Sequence, residues 1–154
     1  MKKISFILVV ISTFILVSCD KGDMEVKKLN RGEGIWSITS MRYETYDSLG
    51  VNVVSTTTRE DIGEFVFFQN TTLSGLYDEH LVVVNINDTS GVIRAYSGGV
   101  YYDDSRVKID ADGSGVSGVW TIIDNGRRKQ EWALHVTHPS GSLGSKTTLY
   151  MKKK

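Results

Sequence analysis

The chain has 154 residues, enough for a leader and one domain, with 18 basic and 18 acidic residues and no formal net charge. That balance excludes the basic footprint of a nucleic-acid-binding domain. The single cysteine excludes an internal disulfide and a Cys-x-x-Cys centre, and one proline among 15 glycines, with many Val, Thr, Tyr, Trp and Phe residues, describes strands punctuated by glycine turns.

In chain order, Lys2 and Lys3 precede an apolar stretch, Ile4 to Leu16, interrupted by Ser5, Ser12 and Thr13. The stretch is shorter than the ~20 residues a permanent transmembrane helix needs, and its charged start and small-residue end read as a cleavable export signal. It closes with Leu16-Val17-Ser18-Cys19, which resembles the lipobox of bacterial lipoproteins. The resemblance implies cleavage before Cys19 and diacylglycerol on its thiol. Residues 1–18 are then a signal peptide, 19–31 a tether and 32–154 a β domain. The implied partner is the membrane itself, through lipidated Cys19, because each buried CH₂ contributes about 0.8 kcal/mol and two or three acyl chains anchor firmly. The implied location is the cell envelope, at the periplasmic or surface face of the outer membrane. Asp20, Asp23 and Glu25 make the tether loosely acidic, similar to surface-display signals of Bacteroidetes lipoproteins.

The mature chain shows strand patterns at intervals near ten residues and no helical periodicity. Strands are expected over 34–46, 51–58, 62–69, 80–87, 91–97, 100–109, 116–123, 130–137 and 146–152. In the first, strict alternation puts Trp36 and Ile38 on one face and Ile35, Met41 and Tyr43 on the other. The run Phe65-Val66-Phe67-Phe68 suggests burial on both faces. Such spacing argues for an all-β antiparallel meander of eight or nine strands, closed as a barrel or, alternatively, stacked as a β-sandwich.

One hairpin can be read residue by residue. A two-residue Asn125-Gly126 loop would mix Trp120 with Glu131 on one face. A three-residue Asp124-Asn125-Gly126 loop instead sets Trp120 opposite Gln130 and aligns Trp120, Ile122, Trp132, Leu134 and Val136. Since a one-residue slip sends every side chain to the other face, burial of two tryptophans selects the three-residue loop.

Candidate chemistry is sparse. His135 and His138 are three apart, which on a strand puts them on opposite faces. Asp110-Ala111-Asp112-Gly113-Ser114-Gly115 resembles the opening of a calcium loop, but its final bidentate glutamate would fall on Thr121, so a glycine-rich turn is the simpler reading. Asp47-Ser48-Leu49 resembles a short O-glycosylation signal of Bacteroidetes periplasmic proteins and also reads as a plain turn. No Gly-x-Ser-x-Gly elbow, Walker loop or His-Glu-x-x-His is present. No catalytic residue, metal ligand or cofactor is therefore assigned, and a non-enzyme is expected.

Gly34-Ile35-Trp36 opens the first strand. Gly-x-Trp there resembles the lipocalin signature, in which the tryptophan closes one end of an eight-stranded barrel. The layout of lipobox, short linker, Gly-x-Trp strand and a terminal Leu149-Tyr150-Met151-Lys152-Lys153 is similar to that of small lipocalin-like lipoproteins of Bacteroidetes. The resemblance implies an interior set of Trp36, Ile38, Phe67, Val84, Trp120, Ile122, Trp132 and Leu134, facing a small apolar ligand or filling the barrel. So many large residues in a short domain favour a mostly filled interior. A second expectation is recognition of an envelope protein or glycan on the outer face, through Tyr43, Tyr46, Tyr101 and Tyr102.

Overall fold

Eight antiparallel strands follow one another in a computed structural model that describes residues 28–71, 78–87, 92–102 and 105–154. They are β1 (Ile35–Tyr46), β2 (Val53–Thr71), β3 (Asp78–Asn87), β4 (Ile93–Tyr102), β5 (Arg106–Asp110), β6 (Gly118–Asn125), β7 (Lys129–Thr137) and β8 (Leu143–Lys153). Each pairs with the next, and β8 returns to β1 from Trp36↔Lys153 to Thr45↔Ser145. The sheet is thus a closed meander barrel, not a sandwich, and closure removes exposed edges. Residues 1–27, with the expected signal, the lipobox-like Cys19 and the acidic positions Asp20, Asp23 and Glu25 of the expected tether, lie outside the described residues.

Alternation decides the wall. Val82 and Val84 on β3, Val107 and Ile109 on β5, and Leu149 and Met151 on β8 point inward and are buried. Between them, Arg42, Glu60, Asn85, Lys108, Glu131, His135 and Lys146 take outward positions. The interior is apolar, while the outer wall carries these polar and charged residues together with exposed Phe68, Tyr101 and Val119. The fully buried side chains include Trp36, Trp120, Trp132, Phe65 and Phe67, with Phe65 and Phe67 both 6.1 Å from Trp132 in ring centroids.

Bulges overturn several expected faces. In β1 an extra residue, Thr39, interrupts the ladders to both neighbours, and its hydroxyl donates to the Tyr150 carbonyl at 3.0 Å. The insertion inverts the alternation, so Met41 joins Trp36 and Ile38 instead of opposing them. Residues 51–58 and 62–69 are not two strands but parts of β2, bent at Asp61 (φ 47°) and Gly63 (φ 151°), where Ile62 turns into the core. A Cβ on Gly63 would collide with the Asn85 carbonyl oxygen, so only glycine lets β3 approach there. Phe65 and Phe67 are buried, whereas Phe68 is 40% exposed on the outer wall, so that run is not buried on both sides.

The sequence pattern puts Gly98 and Gly99 between strands, but they lie inside β4, which runs on to Tyr102, and β5 starts at Arg106. A side chain on Gly98 would strike the carbonyl oxygen of Asp110, so this glycine serves close packing of β4 on β5 rather than a turn. The β6–β7 turn lies at 126–128, beyond the expected position. Gln130 Nε2 donates to Asn125 Oδ1 (3.0 Å) and to the Gly126 carbonyl (3.3 Å), which holds Asn125 in the ladder. The pairing is Ile122↔Trp132, with a bulge before Asp124. It differs from the expected register by an even number of residues, so Trp120, Ile122, Trp132 and Leu134 still share the inner face.

Candidate functional site

In a meander, alternate connections lie at the same end. The base carries Trp36, the end of β8 and the turn 126–128; the opposite mouth carries the β1–β2, β3–β4, β5–β6 and β7–β8 connections.

The base is plugged. Residues 28–30 form a helical turn that sets Leu29, fully buried, against the barrel end. The indole of Trp36 donates to the Leu29 carbonyl at 3.0 Å. Gly34 (φ 68°) makes the approach possible: its carbonyl accepts from Phe67 N at 2.9 Å, and a Cβ there would collide with the Phe67 carbonyl. Burial of a leucine contributes about 1.5–3 kcal/mol, so this plug is part of the core. Above it, Trp120 donates to the Val116 carbonyl (2.9 Å) and Trp132 to Gln130 Oε1 (2.8 Å), so each buried indole has its acceptor.

The mouth is different. Met41 on β1, Ile86 on β3, Tyr96 on β4 and Leu134 on β7 pack on the core but stay partly accessible. Tyr43 and Val136 (53% exposed) continue the same faces outward. Leu49, Val51 and Val53 at the β1–β2 connection and Ile93 at the start of β4 are exposed near this end. Part of the mouth is closed by residues 111–117, where Ala111 and Val116 are buried and Ser114 Oγ donates to the Ala111 carbonyl at 2.6 Å. The calcium-like segment thus uses its hydroxyl internally, while Asp110 pairs with Lys108 at 3.2 Å.

The Asp47 turn is also self-contained. Its carboxylate accepts from Val51 N (3.0 Å) and Asn52 Nδ2 (2.7 Å), and these hydrogen bonds, Val51's first, hold its pKa below the usual carboxylate value.

Outside the base lies a cleft of roughly 680 Å³ lined by Gly32 and six cations: Arg31, Arg127, Arg128, Lys152, Lys153 and Lys154. Lys153 Nζ stands 4.9 Å over the Trp36 ring and donates to the Lys28 carbonyl at 3.3 Å. Burial, and then the nearby Arg31 charge, push its pKa below the ordinary lysine value. Lys154 pairs with Glu64 Oε2 at 2.6 Å, and Asn85 donates to the other Glu64 oxygen at 3.0 Å; these two hydrogen bonds lower the Glu64 pKa.

Of the expected interior set, Trp36, Ile38, Phe67, Val84, Trp120 and Trp132 are buried in one core, and Ile122 and Leu134 pack on it. Cys19 falls outside the described residues. The tyrosines divide: Tyr101 is 60% exposed on the outer wall, Tyr46 is half-buried, Tyr43 points to the mouth, and Tyr102 packs on the core instead of lying exposed. Sequence reasoning missed Met41, hidden by the bulge, and the basic cleft. Lys152-Lys153-Lys154 reads alone as a solubilising strand end, yet antiparallel pairing of β7 with β8 brings it beside the run Arg127-Arg128-Lys129.

No protein-family model matches this chain, and no curated protein matches it.

Proposed function

We propose that this chain is a lipid-anchored cell-envelope protein, located at the outer membrane, whose lipocalin-like barrel binds a small apolar molecule at its mouth without catalysing a reaction. The observation that carries the binding reading is the mouth: inward apolar side chains from β1, β3, β4 and β7 stay partly accessible above a filled core. A ligand there would rest on Met41, Ile86, Tyr96 and Leu134, with the aromatic core as its floor. The eight-stranded meander and Trp36 at the base support the lipocalin-like reading. Leu16-Val17-Ser18-Cys19 supports the anchor, and charged outward positions such as Arg42, Glu60 and Lys108 suit a barrel held beside a membrane rather than across it.

Two measurements test these parts separately. Labelled palmitate should enter the native chain and be lost in Cys19→Ser; a label retained in that variant, or none in the parent, refutes the anchor. Solvent extraction of the purified barrel should release one apolar species in near-stoichiometric amount, and a clean extract counts against ligand binding.

A second reading is recognition of an envelope protein or glycan through the outer wall. Exposed Phe68 and Tyr101 favour it, since aromatic side chains are enriched at interface cores. Crosslinking in intact cells should then capture one specific partner that Tyr101→Ala loses; an unchanged crosslink excludes this surface.

A further inference from the structure

The cleft outside the base brings together three segments distant in sequence. Arg31 follows the plug, Arg127 and Arg128 form the β6–β7 turn, and Lys152 to Lys154 end β8. Removal of Lys2 and Lys3 with the leader would leave a chain of net charge −2, so six cations around one cleft are a segregation of charge that bulk composition does not require.

The arrangement is costly without an anion. Lys129 stands directly opposite Lys152 in the β7–β8 ladder, a like-charge pairing that destabilises a sheet. Burial and the Arg31 charge disfavour the protonated form of Lys153. Among the described residues, the carboxylate that meets the cluster is Glu64, through Lys154.

We propose that this cleft is a phosphate-binding site whose occupant is the phosphorylated headgroup of an anionic membrane lipid. The two turn arginines present planar forks suited to two oxygens of one phosphate, while the lysines supply point charges. Lys153 is fixed by the Trp36 ring and the Lys28 carbonyl, which gives the cleft a rigid wall. A volume of roughly 680 Å³ accommodates a headgroup. The choice of membrane lipid over soluble phosphate rests on the anchored reading. Lys28 is nine positions after Cys19, so the tether keeps the base within about 30 Å of the anchored residue. Cleft and tether meet at the same end, and the barrel would stand base-down with its mouth away from the bilayer.

The test uses residues 19–154 carrying Cys19→Ser, which lack the apolar leader and the acyl chains but keep the whole described core, from Leu29 to Met151. Co-sedimentation is measured with vesicles of phosphatidylcholine alone and mixed with phosphatidylglycerol. Binding is expected to the mixed vesicles only, and to weaken steeply with salt. Arg127→Gln with Arg128→Gln, in an exposed turn, should weaken it about thirtyfold with an unchanged melting temperature, and Arg127→Lys with Arg128→Lys should restore only the part that charge alone supplies. Equal binding to both vesicles, or a glutamine variant that binds like the parent, overturns the proposal. Saturable binding of inorganic pyrophosphate without preference for the mixed vesicles overturns the membrane assignment. Palmitate labelling of the full chain reads the anchor separately: absent label with intact vesicle binding removes the anchor and leaves the cleft.

Discussion

The two ends of this barrel are built from the same alternation but finished in opposite ways. At the base, Leu29 and Trp36 seal the interior and a buried indole donates to a backbone carbonyl. At the mouth, Met41, Ile86, Tyr96 and Leu134 remain partly accessible, and apolar residues continue to Val136 and the β1–β2 connection. The base therefore carries stability, and its outside carries charge. The mouth carries apolar surface that the fold itself leaves uncovered, which is where a binding role can be placed without cost to the core.

The largest effect should come from the base half. Trp132→Ala removes a fully buried ring that touches Phe65 and Phe67 and should cost about 3–5 kcal/mol in chemical denaturation. A loss below about 1 kcal/mol would show that this half is not closely packed. At the mouth, Leu134→Ala removes a partly buried side chain and should cost only about 1–2 kcal/mol while changing ligand affinity more than stability. Equal costs at both positions would break the contrast.

The smallest effect is electrostatic. Glu64 has its pKa lowered by hydrogen bonds from Lys154 and Asn85, so the native state binds fewer protons than the unfolded chain. Its contribution is present above the ordinary glutamate value of 4.5 and is lost as pH falls through the lower native value. Lys154 is 56% exposed at its side chain, so Glu64→Gln should cost no more than about 0.2–1 kcal/mol at neutral pH and flatten the acid limb of the stability profile. An unchanged acid limb would show that the pair does not hold in solution.

Much of this contrast was legible in the residues. Strict alternation at Val82 and Val84, the pairing of Trp120 with Trp132 on one face, and Gly34-Ile35-Trp36 at the first strand all follow from period-two patterning and turn chemistry. What did not follow were the interruptions. Thr39 and Asp61–Gly63 carry no sequence mark that distinguishes a bulge from a continuous strand or a turn, yet each re-aims the residues beyond it. Gly98 and Gly99 resemble a turn because glycine serves both tight turns and close strand packing. Mouth and cleft are both assembled by ring closure from distant segments, so no local window contains either. Asn125 looked like a turn residue because its bond to Gln130 depends on a strand partner that the turn itself positions.

An apolar site at the mouth is tested by titrating an environment-sensitive fluorescent fatty acid into the purified barrel, its Leu134→Arg variant, and the Arg127→Gln/Arg128→Gln variant. Binding should be saturable at one site, at least tenfold weaker when a charge enters the mouth, and unaltered when the basic turn is neutralised. A barrel that takes up no probe, or binds it equally well with arginine at position 134, contradicts an apolar site at the mouth.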